Sequence, residues 1–110
     1  MDSNKKFLNG TLNTILLALF KEYGKMYGYE ICQLTKEKTD NTILLTEGAI
    51  YPALHRLEKD GLLLSSKEKT NGRTRKYYSL NSGAMQEIDS QINLLSQFTG
   101  HLRVLLNQTA

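Results

Sequence analysis

The feature that most restricts the fold of this chain is the dipeptide Asn71-Gly72. Asn-Gly favours a two-residue type I′ turn between two strands, because both residues accept the positive φ angles of that turn. Folding the chain there predicts a β-hairpin over residues 62–80, apolar where it enters the core and basic near the turn. The predicted cross-strand pairs are Thr70 with Arg73, Glu68 with Arg75, Lys67 with Lys76, Ser65 with Tyr78, and Leu63 with Leu80.

Two of these pairs oppose charged residues. Glu68 opposite Arg75 is favourable, whereas Lys67 opposite Lys76 places like charges together and costs roughly a few tenths of a kcal/mol. We interpret this as a hairpin tip shaped to meet an anion. The alternative is that the true register differs by one residue.

A helix is predicted directly before the hairpin, over residues 48–62 (GAIYPALHRLEKDGL). Thr46 is its expected N-cap and Gly61 its expected end, and an apolar stripe faces the core. The stripe consists of Ile50, Leu54 and Leu57, and the opposite face carries Tyr51, His55, Arg56 and Lys59. Cations and aromatic groups on an exposed helix face suit reading of the DNA major groove, although most amphipathic helices are ordinary surface helices.

Pro52 conflicts with this helix, because proline lacks the backbone N–H and crowds the carbonyl four residues earlier. We expect either that the helix begins late, near Tyr51, or that its first turn is loosened. Either arrangement would bring Tyr51 close to whatever the helix faces.

Apolar periodicity predicts three further helices. They run from Lys5 to about Tyr23, from Tyr27 or Gly28 to Lys38, and from about Ser82 to Leu106. Residues 24–28 are predicted as a turn and residues 43–45 as a brief strand. In the second helix Ile31 and Leu34 point inward, and Cys32 is interpreted as a structural residue.

The last helix is more apolar than a domain of this size can cover with its own residues. Pairing with a second copy of the chain is the natural way to bury such a stripe. The alternative is that it docks entirely on the first helix of its own chain. The residues predicted to form the dimer interface are Ile88, Ile92, Leu95, Phe98 and Leu102.

Positive charge is concentrated in one segment of the 110-residue chain, whose net charge is +3. Residues 55–76 hold seven cations and three anions, hence +4, so the remainder is close to neutral. This asymmetry is typical of a surface that meets an anionic partner. Random clustering of surface charge is the alternative.

No pattern of catalytic or metal-binding residues is found. His55 and His101 are far apart and fit no metal-ligand spacing, and Cys32 is the only cysteine. We therefore predict no enzyme activity, no metal and no cofactor. With no membrane-length apolar run and no signal sequence, the expectation is a soluble cytoplasmic protein.

Together these elements predict a mainly α fold with a small β-hairpin. Residues 1–80 would form a winged helix-turn-helix, and residues 81–110 a long C-terminal dimerisation helix. Three segments resemble the PadR-type transcriptional regulators: Gly28-Tyr29-Glu30-Ile31, GAIYPALHRLEKDGLL over residues 48–63, and RKYYSL over residues 75–80. The resemblance covers roughly residues 12–83, and the single C-terminal helix is similar to that of the smaller PadR subgroup.

The resemblance implies a homodimeric regulator, usually a repressor, that binds a pseudo-palindromic operator in double-stranded DNA. It implies that the helix over residues 48–60 enters the major groove and that the hairpin is the wing. The implied DNA-binding residues are Thr46, Tyr51, His55, Arg56, Lys67, Arg73, Arg75 and Lys76.

Some PadR-type regulators respond to small aromatic effectors, so the resemblance also raises the possibility of an effector site. Phe7, Met85 and Phe98 are the candidates to line one, and their alternative interpretation is as core or dimer residues. The absence of tryptophan argues against a sensor based on aromatic stacking. A second function remains open: a dimeric module that binds a small aromatic ligand or a protein partner without reading an operator.

Overall fold

The structure is a computed structural model, and it describes residues 4–108. Within that range the chain forms five α-helices and three β-strands. They are α1 (Lys5–Leu8), α2 (Leu12–Tyr23), β1 (Met26–Tyr27), α3 (Gly28–Lys38), α4 (Glu47–Lys59), β2 (Leu63–Thr70), β3 (Arg73–Leu80) and α5 (Met85–Leu105). A 3₁₀ turn, Ser82–Ala84, precedes α5 and is capped by the side chain of Asn81, which accepts from the N–H of Gly83.

The predicted hairpin is confirmed with its register. β2 and β3 pair antiparallel, and all five predicted cross-strand pairs are present. Asn71 and Gly72 have φ angles of 54° and 77°, as the type I′ turn requires. The prediction missed β1, which pairs with β3 and completes a three-stranded sheet of order β1-β3-β2.

The α4 helix begins where its predicted cap lies. The Thr46 side chain accepts a hydrogen bond from the N–H of Ala49 at 3.2 Å, and Gly61 follows the helix with φ +82°. Pro52 lies in the second turn of this helix. The expectation of a late start near Tyr51 is therefore wrong, because a good N-cap fixes the first turn before the proline is reached.

Two other predictions fail near the N-terminal half of the domain. The first predicted helix is divided into α1 and α2 by residues 9–11, where Gly10 has φ +90°. Residues 43–45 form no strand; instead the hydroxyl of Thr39 accepts from the N–H of Ile43 at 3.0 Å, and Leu45 is buried.

The core lies between the helices and the inner face of the sheet. Its fully or almost fully buried side chains are Leu16, Leu17, Phe20, Ile31, Ile50, Leu54, Leu57, Leu63, Tyr78 and Ile88. Since α4 contributes three of them, one face of this helix is held firmly and the opposite face is left to solvent. The fold is the predicted winged helix, mainly helical with a small antiparallel sheet and a long C-terminal helix.

The C-terminal helix is held to the rest of the described chain chiefly through its first turns. Ile88 is fully buried in the core of its own chain, and Asp89 forms an ion pair with Lys21 of α2 at 2.5 Å. The prediction that Ile88 faces a second copy is therefore corrected, since it has no exposed surface to offer. The later apolar residues, such as Phe98 and Leu105, are exposed. Among residues 4–108, none of the helices combines the length and the apolar character that a membrane span requires.

Candidate nucleic-acid interface

The outward face of α4 carries the cationic residues that the sequence pointed to. Because Ile50 and Leu54 fix the inner face, residues on the opposite side are presented to solvent. His55, Arg56 and Lys59 are all exposed there. This face of α4 is therefore positively charged, and it does not pack against the core of the domain.

Tyr51 sits at the edge of this face and is not free. Its hydroxyl donates to Glu47 Oε1 at 3.1 Å, and its ring centroid lies 6.2 Å from that of His55. Burial, followed by the hydrogen bond to Glu47, raises the pKa of Tyr51. The half-buried Tyr51 ring is therefore held in a fixed position on α4, next to the exposed cations of the same helix.

Glu58 joins α4 to the wing. Its Oε2 accepts from the Ser65 hydroxyl at 2.5 Å, and its Oε1 lies 3.6 Å from Nζ of Lys76. The hydrogen bond from Ser65, together with the charge of Lys76, lowers the pKa of Glu58 although burial opposes the shift. The carboxylate therefore connects both strands of the hairpin to the helix and sets the wing against it.

This contact also changes the interpretation of the like-charged pair. Lys67 and Lys76 are cross-strand partners as predicted, but Lys76 faces Glu58 and lies 5.4 Å from the centroid of the Tyr78 ring. Its charge is therefore partly balanced within the chain. Lys67 is exposed on β2 and is the freer of the two cations.

The outer face of the sheet departs from the predicted charge pairing. Glu68 and Arg75 are cross-strand neighbours, but Glu68 Oε2 accepts from Lys25 Nζ at 2.7 Å. Arg75 instead stacks on the Tyr27 ring, with its guanidinium carbon 4.4 Å from the ring centroid. The Tyr77 ring meets Tyr27 edge to face at 5.2 Å. The base of the wing is thus held by aromatic contacts that leave the Arg75 charge without an acidic partner among residues 4–108.

A polar cleft of about 390 Å³ lies between the starts of α3 and α4 and the wing. Phenol groups and cations line it together with one carboxylate. Its lining residues are Tyr27, Tyr29, Glu47, Tyr51, Arg73, Thr74, Arg75 and Lys76. Cationic and hydroxyl donors of this kind suit a phosphate oxygen.

The structure therefore brings Tyr51, Arg73, Arg75 and Lys76 together in one cleft. Of the other predicted DNA-binding residues, His55 and Arg56 lie on the adjacent face of α4, Lys67 is exposed on β2, and Thr46 caps the helix. Sequence reasoning missed Tyr27 and Tyr29. They enter the site only through β1 and the start of α3, and a two-residue strand leaves no periodic signal.

The three candidate effector residues differ in their exposure. Phe7 and Phe98 are exposed, and Met85 is half-buried against the core. None of the three lines the cleft beside the wing or the open depression on the other side of α4.

Comparison with known proteins agrees with this architecture. Residues 15–90 match the sequence model of the PadR-like family of transcriptional regulators. A Mycobacterium tuberculosis protein described as a transcriptional regulator is 44% identical over 45 residues. That match covers 41% of this chain and 42% of the mycobacterial protein, so the chain spans less than half of that relative's length.

Solved structures extend the similarity to nearly the whole chain. A transcriptional regulator from Clostridium thermocellum superposes with a TM-score of 0.74 and 27% identity, covering 96% of this chain and 98% of that one. A PadR-like transcriptional regulator from Bacillus cereus gives a TM-score of 0.74 at 24% identity, covering 92% of this chain and 96% of that one. At that lower identity the second comparison establishes the fold alone.

Proposed function

The chain belongs to the PadR-like family of transcriptional regulators, and on that basis we propose that it is a homodimeric repressor that binds a pseudo-palindromic DNA operator. The observation that most supports this function is the exposed cationic face of α4 lying beside a basic wing. The carboxylate of Glu58 fixes the two relative to each other. This arrangement matches a duplex, which offers base edges in a groove between two rows of phosphates.

In the proposed complex α4 enters the major groove. His55 and Arg56 are exposed and meet base edges, since an arginine fork pairs well with the acceptors of guanine. Tyr51 contributes an apolar ring edge at the groove wall, because its hydroxyl is already engaged by Glu47. Thr46 lies at the start of the helix, near the phosphate backbone.

The wing and the polar cleft hold the backbone of the DNA. Arg73, Arg75 and Lys76 line the cleft and supply positive charge, and Tyr27 and Tyr29, which also line it, supply hydroxyl donors. Lys67, exposed on β2, adds a further phosphate contact. Such contacts position the protein on DNA without selecting a sequence.

Dimerisation is proposed through the exposed part of α5. Beyond Ile92 the helix leaves the core, and several of its apolar side chains are largely exposed: Phe98 is 55% exposed and Leu105 is 80% exposed. Leu95 and Leu102 are half-buried on the same helix and extend this surface. A second copy would cover it and would place two winged domains, over residues 1–80, on successive half-sites.

The experiment is a titration of the purified full chain against the DNA upstream of its own gene, with random duplex of equal length as the control. We expect tight binding to the upstream DNA, with affinity that falls steeply as salt rises. Equal affinity for both duplexes would reject operator recognition. Equal affinity accompanied by binding of a small aromatic compound would favour the alternative function, a ligand-binding module.

A further inference from the structure

A second depression lies on the side of α4 that faces away from the wing. It is an open groove of about 1190 Å³ between α4, the corner between α1 and α2, and the loop that precedes α4. Its floor is largely aliphatic: Leu8, Leu12, Leu44, Leu45, Pro52 and Ala53 all line it. A groove of this size with such a floor is suited to an extended apolar group.

The charged side chains of residues 4–108 that line the groove are all cationic. Lys5 and Lys6 enter it from α1 and Arg56 enters it from α4, while no aspartate or glutamate within that range lines it. None of these three cations has an ion-pair partner among residues 4–108. Lys6 lies only over the exposed ring of Phe7, with Nζ 5.3 Å from the ring centroid. The groove therefore combines an apolar floor with unpaired positive charge.

We propose that this groove binds an aliphatic carboxylate of medium to long chain length. The carboxylate contacts the cationic side chains, and the hydrocarbon chain covers the leucine floor. A nucleic-acid phosphate satisfies the charges but leaves the floor uncovered. A neutral apolar molecule covers the floor but leaves the positive charges unpaired. An amphiphilic anion satisfies both the charges and the floor.

Such a ligand would regulate DNA binding through Arg56, and this part rests on the proposed function. Arg56 lines the groove and is also a proposed base contact on α4. A carboxylate that engages its guanidinium, with a chain lying against Pro52, occupies part of the surface that would enter the major groove. Ligand and operator would therefore exclude each other.

The first test needs no DNA. Octanoate, decanoate and dodecanoate, each below its micelle concentration, are titrated into the full chain by calorimetry. We expect affinity to rise by up to about fourfold for each added methylene that is buried. Decanoate should bind more tightly than decyltrimethylammonium, whose chain is the same length and whose head group has the opposite charge.

Substitutions locate the site. Arg56→Met and Lys6→Met keep an aliphatic stem and remove a charge, and each should weaken decanoate binding about two- to fivefold. Ala49 is an exposed residue of α4 that lines the groove, so Ala49→Phe should block the binding of the ligand's hydrocarbon chain. Lys59→Met removes an exposed charge from the same helix outside the groove and should leave decanoate binding unchanged. Circular dichroism establishes that each variant is folded.

Several outcomes overturn the proposal. If the affinity does not change with the length of the hydrocarbon chain or with the charge of the head group, the groove does not select this ligand class. If Ala49→Phe changes the oligomeric state and not decanoate binding, a second copy occupies the groove. If Lys6→Met weakens DNA binding and leaves decanoate binding intact, the cations serve the DNA backbone. Failure of the decanoate titration leaves operator binding by the free protein standing, so the two proposals fail separately.

Discussion

The hydroxyl oxygen of Tyr51 lies 2.8 Å from the point that a Cβ atom at Gly28 would occupy. Gly28 is the first residue of α3 and is buried, and Tyr51 is in the second turn of α4. The start of one helix therefore lies directly against the aromatic ring of the other. A side chain at Gly28 would therefore press on α4, the helix whose exposed face we propose enters the major groove.

Replacing Gly28 by alanine should therefore destabilise the protein. The added methyl group would lie 2.8 Å from the Tyr51 hydroxyl oxygen and 3.1 Å from its Cζ, so the ring must move and its hydrogen bond to Glu47 is strained. Overpacking of this kind costs about 1–3 kcal/mol, and the better helix propensity of alanine returns up to about 1 kcal/mol. Urea unfolding should show a net loss of about 1–2 kcal/mol.

Gly48 provides the matched control within α4. A Cβ at this position meets nothing within 4 Å, and the residue is exposed in the first turn. Gly48→Ala should leave stability unchanged or raise it by up to about 1 kcal/mol. Equal destabilisation by both substitutions would refute the close contact as the cause.

Glu58 gives the protein a pH-dependent stability term. Its pKa is lowered from the ordinary value of 4.5, chiefly by the hydrogen bond from Ser65. A lowered folded-state pKa means that the contribution is fully present above about pH 4.5 and is lost as the pH falls through the lower value. Glu58→Gln should remove this term, and because the side chain is 35% exposed we expect less than about 1 kcal/mol.

The measurement is urea unfolding of wild type and Glu58→Gln at pH 7 and at steps below pH 4.5. The stability difference at pH 7 should shrink as the pH is lowered. Ser65→Ala, which removes the main cause of the shift, should reproduce part of the loss. Glu22 is an exposed carboxylate on α2, and Glu22→Gln is the control. If Glu22→Gln lowers the free energy of unfolding as much as Glu58→Gln does, the contact of Glu58 with the wing is not the cause.

The sequence was most informative where a local rule determines the geometry. Asn71-Gly72 sets the turn, and a two-residue turn leaves a single register for the strands that follow from it. Thr46 caps α4 by a contact three residues away, which is equally local. Both features could be predicted because no distant residue decides them.

Two of the failures involve residues whose partners are far away in sequence, and a third has a local cause. The strand β1 has two residues and is defined only by its pairing with β3, so no alternation reveals it. Glu68 was expected to pair with Arg75, but β1 brings Lys25 beside it. The apolar spacing of the first predicted helix continues across residues 9–11, which hid the break at Gly10.

Arg73 and Arg56 should differ in their effect on DNA binding. Arg73 lies on the wing, where we propose phosphate contacts, and Arg56 lies on the exposed face of α4. Arg73→Ala should weaken binding to every sequence by a similar factor and reduce the slope of log affinity against log salt by about 1. Arg56→Ala should cost about 1–3 kcal/mol on the operator and relax the preference at one base position.

The measurement is binding to the operator, to single-base variants of it and to random duplex over a salt series. Lys36→Ala, on the last turn of α3 and outside the cleft, is a charge-matched control that should change neither property. A uniform loss for both Arg73→Ala and Arg56→Ala would contradict the division between phosphate and base contacts.

Phe98 tests the proposed dimer surface. It is 55% exposed in a single chain, so its substitution by glutamate removes little packing from the monomer. In a dimer the same change buries a charge in an apolar interface, which costs several kcal/mol and is typical of a central contact residue. Phe98→Glu should therefore be monomeric at concentrations where the wild type is dimeric, as measured by sedimentation equilibrium.

Operator affinity provides the second measurement for Phe98→Glu. A monomer that keeps its winged domain contacts one half-site only, so the full operator should lose its advantage over a single half-site. Leu64→Glu adds the same charge at a residue that is 53% exposed on β2, away from α5. It should remain dimeric, and loss of the dimer in both variants would point to general destabilisation. A dimeric Phe98→Glu would place the interface elsewhere, because an apolar contact cannot absorb that charge without a partner.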